Sequence, residues 1–361
     1  MDALHHAHHY SAQHYQGEAL SVWHRMPVAR RALVFILLFI GSVGEIRVVL
    51  TKRLSQLRNF PGHISLPGGK ADHGLELPWM VARREMSEEI GLSENDAELH
   101  REYGVVIDQV TELPCYLSRT FSAVKPVVGF LNTGRGVDAA LLRMRLRVNP
   151  GECSSIFLCP LHDFLYPVSD APAKEALART HHPVKWGGLP WNLRSYTFPQ
   201  ANPGEVHWLR GYDDLSATED EDSAAELEAS LAGPDPESCP TQDSQRPPKK
   251  PKKDLSGWGN LGSRRDSVSN EKIYDVWGLT ANILHDLAEV VYLPPHRRSP
   301  GKQHGEEELI WSVWHHGQQM HLKERTPAEA ALIRAGPADP ASFGDVLPRT
   351  EFNRLKRIYS S

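Results

Sequence analysis

Apolar positions along this chain predict a folded block from about 26 to 200, followed by a break and a second, shorter apolar stretch. The longest apolar run, Ala32–Ile40 (ALVFILLFI), has nine residues. It is too short to cross a bilayer as a helix and fits a buried strand. Gly41 and Gly44 break it, and IRVVLTKR (46–53) follows as a second strand, so the pair predicts a hairpin. PGGK (67–70) reads as a loop. From Pro78 the period lengthens: Trp79, Ala82, Met86 and Ile90 recur at spacings of three and four. That stripe predicts a helix over 78–90, with Pro early and Gly91 at its stop. KPVVGFL (125–131) and SIFLCPL (155–161) read as further strands.

The pattern lapses elsewhere. Residues 1–25 contain HHAHHYSAQH and predict a disordered His-rich tail in which nothing fixes the imidazoles for a metal. Residues 201–272 are acidic, then rich in Pro and Lys, with few large apolar groups. Such a composition cannot offset the entropy of ordering and predicts a disordered insertion. Its KKPKK (249–253) reads as part of a solvated linker. Within 273–292, Trp277, Ile283, Leu284, Leu287, Val290 and Val291 predict an amphipathic helix that packs back on the block. Residues 293–361 read as a mixed tail with one helix at TPAEAALIRAG.

Composition narrows the classes. Among 361 residues, 40 Lys and Arg oppose 45 Asp and Glu, a net charge of -5, which argues against a globally basic nucleic-acid binder. A small-molecule substrate is expected, with no nucleic-acid or membrane partner. Cys115, Cys153, Cys159 and Cys239 have neither C-x-x-C nor zinc spacing, consistent with a reduced intracellular compartment. Cytoplasm and peroxisome both stay open. The final YSS is not the S-K-L address.

The chemistry concentrates in PGGKADHGLELPWMVARREMSEEIGL (67–92). Glu85, Glu88 and Glu89 share one face of the expected helix, at i, i+3 and i+4. Unaided, the three would repel. With Mg²⁺ they make an all-oxygen site that leaves positions for water and phosphate. Arg84 is one turn from Glu88 and can hold a carboxylate in place. Gly68 and Gly69 bring bare backbone close to metal or phosphate, and Lys70 adds a cation beside them. A diphosphate resists attack by water until its charge is screened, and a nearby glutamate can then take the proton. An acidic trio by itself also describes a solvated helix face. The double Gly fifteen residues before Arg84, and the Gly91-Leu92 pair after the trio, favour the metal site.

These residues resemble the Nudix box, G-x5-E-x7-R-E-U-x-E-E-x-G-U. Glu76, Arg84, Glu85, Met86, Glu88, Glu89, Gly91 and Leu92 match it. The box glycine falls on Lys70, with Gly69 one residue early. The resemblance implies an α/β fold, the Nudix-type α/β/α sandwich with a mixed sheet. It also implies Glu85, Glu88 and Glu89 as metal ligands, one of them able to serve as the base, for Mg²⁺ with Mn²⁺ as a substitute.

Upstream, LTKRLSQLRNFPGHISLPGG resembles the signature of the coenzyme A diphosphatase branch, fungal type. Arg53, Arg58, Gly62, Pro67, Gly68 and Gly69 are in register, while Leu54 and Leu66 replace a small residue and Phe. VNPGECSSIFLCPLHDFL (148–165) is similar to the branch's N-P-x-E segment, with Glu152 in place, and WGLTANIL (277–284) to its C-terminal helix. Lys52, Arg53, Arg58 and Lys70 are candidates for a cationic rim that binds substrate phosphate, with Gly68 and Gly69 beside them. The expected activity is a pyrophosphatase reaction: hydrolysis of coenzyme A or acyl-coenzyme A to 3′,5′-ADP and 4′-phosphopantetheine or its acyl derivative. The rivals are a broader hydrolase of ADP-ribose and dinucleotides, and an inactive Nudix-type binding module. The aromatic KWGGLPWNLRSYTF (185–198) is expected at the core and cleft edge, where its tryptophans can stack on adenine.

Overall fold

The structure is a computed structural model. It describes residues 2–57, 60–133, 144–200, 202, 206, 264–265, 270–298, 302–322, 324–336 and 339–360. Most of the insertion expected over 201–272 therefore lies outside the described residues, as does Arg58.

The ALVFILLFI run is strand β1 (Arg31–Ile40) and IRVVLTKR is β2 (Ile46–Arg53), paired antiparallel as the hairpin pattern predicts. β1 also runs parallel to β6 (Ala123–Asn132), from Arg31 opposite Ala123 to Leu38 opposite Phe130. β3 (Ile64–Ser65) and β7 (Cys153–Pro160) pair with β2, and β4 (Val106–Glu112) and β5 (Tyr116–Leu117) with β6, all antiparallel. The result is one mixed seven-stranded sheet.

Both faces of β1 are covered, which is why its sequence shows no alternation. Leu33, Phe35, Leu37 and Phe39 belong to one core with Ala82, Met86 and Ile90 of helix α2 (Pro78–Ile90). Ile36 and Leu38 belong to a second core with Leu284, Leu287 and Val291. Those three lie on a helix over Gly278–Tyr292 that closes the opposite face. This is the expected α/β/α sandwich.

That last helix is shorter than its sequence pattern suggests. Residues Lys272–Trp277 form a strand, β11, antiparallel to β9 (Leu189–Pro199). Ile273, Val276 and Trp277 suit a strand as well as a helix, and Gly278, at φ 62°, marks the switch. β9 pairs on its other edge with β8 (Ala178–Trp186) through a turn at Gly187 and Gly188, both with positive φ. β10 (Arg264–Arg265) completes this second sheet of four strands.

Both ends carry more structure than their composition predicts. Near the N-terminus, Val22 and Trp23 are buried in the first core, and the Trp23 indole donates to Ala32 O at 2.8 Å. Short helices over Glu307–His316, Pro327–Arg334 and Arg349–Tyr359 bury Ile310, Leu332 and Leu355 in that same core. Proline and glycine between these helices make the sequence look like a tail, although each supplies one apolar face to a distant partner.

Candidate active site

The helix α2 holds the acidic motif. Its end at Gly91 is left-handed, with φ 70°, and its apolar stripe is inward: Ala82, Met86 and Ile90 are fully buried and Trp79 half-buried. Anchoring that stripe turns the acids toward residues 67–71. This segment runs alongside β1, with Phe35 N–H donating to Pro67 O and Leu33 N–H to Gly69 O, both at 2.8 Å. The space there explains the two glycines. A Cβ on Gly68 would lie 2.2 Å from Leu33 O, and one on Gly69 would lie 2.3 Å from both carboxylate oxygens of Glu85. The Gly69 carbonyl accepts from Leu33 N–H, and the missing side chain of Gly69 leaves room for the Glu85 carboxylate.

Arg84 gathers the acids. Its Nε donates to Glu76 at 3.0 Å and its Nη1 to Glu85 at 3.0 Å and Glu88 at 3.4 Å, while Nη2 donates to Lys70 O at 2.9 Å. Burial would raise the Glu76 carboxyl, but Arg84 and the Asp72 N–H outweigh it and hold it below the usual carboxylate range. Glu85 goes the other way: burial raises it, more than Arg84 lowers it. Glu89 is buried deeper, accepting from Gly68 N–H at 3.1 Å and from Thr51 Oγ1 and Cys153 Sγ at 3.5 Å. Desolvation pushes its carboxyl up to about 7. Burial also pushes the Cys153 thiol up, so it stays a neutral donor. Glu88 remains about half exposed.

Glu152 is exposed but lies within electrostatic reach of this group. Its charge raises both Glu85 and Glu89, and the N-P-x-E segment carries it there because Asn149 N–H donates to Glu89 O at 3.0 Å. The sequence holds the signal, yet the expected ligand set omits it. The expected cationic rim assembles in part. Arg53 and the exposed Lys70 line a cavity of about 360 Å³ together with Gly68 and Gly69, whereas buried Lys52 does not. The far lining is mostly apolar, with Leu117, Val124, Trp186, Trp191, Trp277 and Leu279, but it also carries Ser118, Arg119, Thr120, Ser122 and Thr280. His63 also lines it, and burial followed by the Arg53 charge lowers its imidazole to about 4.

The group among the described residues whose donor atoms all lie within 4.8 Å of one another is a different one, His285, Asp286 and Glu289. Its centre is already occupied by the Lys302 ammonium, 2.6 Å from Asp286 and 2.9 Å from Glu289. It is an ion cluster that ties the 278–292 helix to the following loop.

The NUDIX domain matches residues 29–180. Over 351 residues the chain is 35% identical to the peroxisomal coenzyme A diphosphatase 1 of Saccharomyces cerevisiae, covering 93% of this chain and 89% of that one. It is 39% identical over 136 residues to the mitochondrial Nudix hydrolase 15 of Arabidopsis thaliana, covering 38% and 42% of the two chains. Against the peroxisomal coenzyme A diphosphatase NUDT7 of Mus musculus it is 30% identical over 124 residues, covering 34% and 44%. The chain belongs to the Nudix hydrolase family. Within that family its place is the coenzyme A diphosphatase branch. It is a hydrolase of diphosphate bonds in a small-molecule substrate, and its family works with a divalent metal. No helix among the described residues is long and apolar enough to cross a membrane.

Proposed function

We propose that the chain hydrolyses coenzyme A, free or acylated, to 3′,5′-ADP and 4′-phosphopantetheine or its acyl derivative. One observation supports this most: Arg84 holds Glu85 and Glu88, Glu85 and Glu89 lie against the bare Gly69 and Gly68 backbone, and that same glycine backbone lines the neighbouring cavity. The donor set suits Mg²⁺, with Mn²⁺ as a substitute, because every candidate ligand is a hard oxygen. Burial raises the carboxyls of Glu85 and Glu89, and a divalent ion held there would favour their ionised forms. Glu85, Glu88 and Glu89 would hold it. When bound, such an ion screens the diphosphate and acidifies water.

The chain's own groups do the rest. Arg84 fixes the direction of Glu85 and Glu88, and the side-chain-free Gly68–Gly69 backbone lets phosphate approach closely. A carboxylate of the cluster accepts a proton from the attacking water. The water oxygen bonds to one phosphorus as the bridging P–O bond breaks, and the bridging oxygen leaves on the other phosphate. Arg53 and Lys70 neutralise substrate phosphate at the rim. Peroxisomal residence, the property in the yeast relative's name, is part of the same reading and is checked by a fluorescent fusion against a matrix marker.

The test is product identification by mass spectrometry after incubation with coenzyme A, with and without Mg²⁺. Metal-dependent appearance of 3′,5′-ADP and 4′-phosphopantetheine is expected. Faster cleavage of ADP-ribose than of coenzyme A would instead make the chain a broader nucleoside-diphosphate hydrolase.

A further inference from the structure

We infer that the apolar cavity takes the pantetheine and acyl half of the substrate, and that Trp186 and Trp191 set the acyl length it accepts. This rests on the coenzyme A reading above and adds which half of the substrate enters and what stops it.

The choice of half follows from charge. The adenosine half of coenzyme A carries an extra phosphate and needs several cations. The cavity presents Arg53 and Lys70 beside the glycine loop. Its third cation, Arg119, is bound to the carbonyls of Ile333 and Ala335 at 2.8 and 2.9 Å. Beyond them the walls are Leu117, Val124, Leu279 and three indoles, interspersed with the uncharged hydroxyls of Ser118, Thr120, Ser122 and Thr280, a lining that favours an uncharged, amide-bearing chain. A diphosphate held at Gly68–Gly69 thus leaves its uncharged arm to enter.

The stop follows from what lies behind the indoles. Trp186 and Trp191 line the main cavity and also a small void of about 20 Å³, whose other walls include Leu309 and Tyr359. The two tryptophans are thus common to both spaces. Trp186 is fixed: its Nε1 donates to Leu332 O at 3.2 Å and its ring meets Phe343 edge-on at 5.2 Å. Trp191 is half-buried and is held by a side-chain hydrogen bond to Glu306. Trimming Trp191 joins the spaces without removing a fully buried side chain, so it is the substitution that lengthens the cavity.

The experiment measures kcat/KM for free coenzyme A and saturated acyl-coenzyme A esters of increasing length, in wild type, Trp191→Ala and Trp191→Phe. In wild type, each methylene that enters should raise kcat/KM about threefold until the chain meets the indoles, after which the value falls. In Trp191→Ala the optimum should move by at least about two carbons toward longer chains. Trp191→Phe keeps a ring but loses the bond to Glu306, and its optimum should stay near that of wild type. Identical profiles in wild type and Trp191→Ala, or a profile flat in chain length, overturn the inference while leaving the coenzyme A reading intact. Weaker inhibition by 3′,5′-ADP in Trp191→Ala with an unmoved optimum places the nucleotide half in the cavity and also overturns it. Hydrolysis of no member of the series by wild type removes the coenzyme A reading, and this inference with it.

Discussion

At the residue scale, Gly68 and Gly69 are neighbours that should fail in different ways. A methyl on Gly68 meets the main-chain oxygen of Leu33, inside the sheet, where neither side can yield cheaply. Gly68→Ala should cost about 1–3 kcal/mol of stability, read from urea unfolding. A methyl on Gly69 meets the end of the Glu85 side chain, which can swing away. Gly69→Ala should fold nearly as well and lose at least about tenfold in kcat, because the displaced carboxylate leaves the cluster. Equal stability loss in the two variants would contradict this contrast. Glu89→Gln should lower turnover by about 10²–10⁴-fold. Without metal its melting temperature should not fall, since the variant removes a buried carboxylate that burial already disfavours. Near-full activity in Glu89→Gln would remove it from the metal cluster. The acid spacing on α2 was legible because all three positions lie on one helix. Glu152 reaches the cluster through a hydrogen-bonded turn between distant segments, and spacing along the chain carries no record of that.

At the element scale, the start of the helix over Glu307–His316 holds two neighbouring acids in opposite states. Burial alone would raise Glu307, but hydrogen bonds from His14, Ser21 and the N–H groups of Val22 and Cys115 bring it down to about 2. Burial pushes Glu306 up to about 7, more than its bond from the Leu117 N–H lowers it. Both have an ordinary value of 4.5. Glu307, depressed on folding, adds stability that is present above about 4.5 and is lost as pH falls toward 2. Glu306, raised on folding, adds stability that is present below about 4.5 and is lost as pH rises through 7. Melting curves from pH 3 to 8 should therefore separate two variants. Glu307→Gln should melt lower than wild type at pH 7, by an amount that shrinks in acid. Glu306→Gln should gain on wild type as pH rises from 4.5 to 7. Parallel curves in both variants would mean that neither carboxyl is coupled to folding. This helix was not expected, although EELIWSVW carries an apolar face. Its short length and the prolines around it read as a tail, whereas Glu307 clamps the 14–22 segment and Cys115 to its start, and Glu306 accepts from Leu117 of β5. α2 and β1, by contrast, are long enough for period alone to declare them.

At the scale of the whole molecule, the cavity is assembled from segments far apart in sequence: β1, the glycine loop, the β5–β6 turn, the β8–β9 hairpin and the junction after β11. Of these, the glycine loop meets the acids of α2 directly. The remaining walls come from elements beyond the acidic motif, and residues beyond 320 brace them from behind. Phe343 is the main brace. It is fully buried, lies edge-on to Trp186 at 5.2 Å and stacks with Phe121 at 6.2 Å. Gly187, at φ 58°, lets it sit close, since a Cβ there would come within 2.3 Å of its ring. Removing the ring should cost about 3–5 kcal/mol of stability. It should also affect substrate binding before chemistry, because the indole wall loosens while Glu85, Glu88 and Glu89 stay fixed on α2. Phe343→Ala is therefore expected to raise KM for long acyl-coenzyme A esters by about tenfold or more, with kcat within about threefold of wild type at a temperature where the variant is folded. A fall in kcat with KM unchanged would show that the brace acts on the acidic cluster and not on the cavity wall.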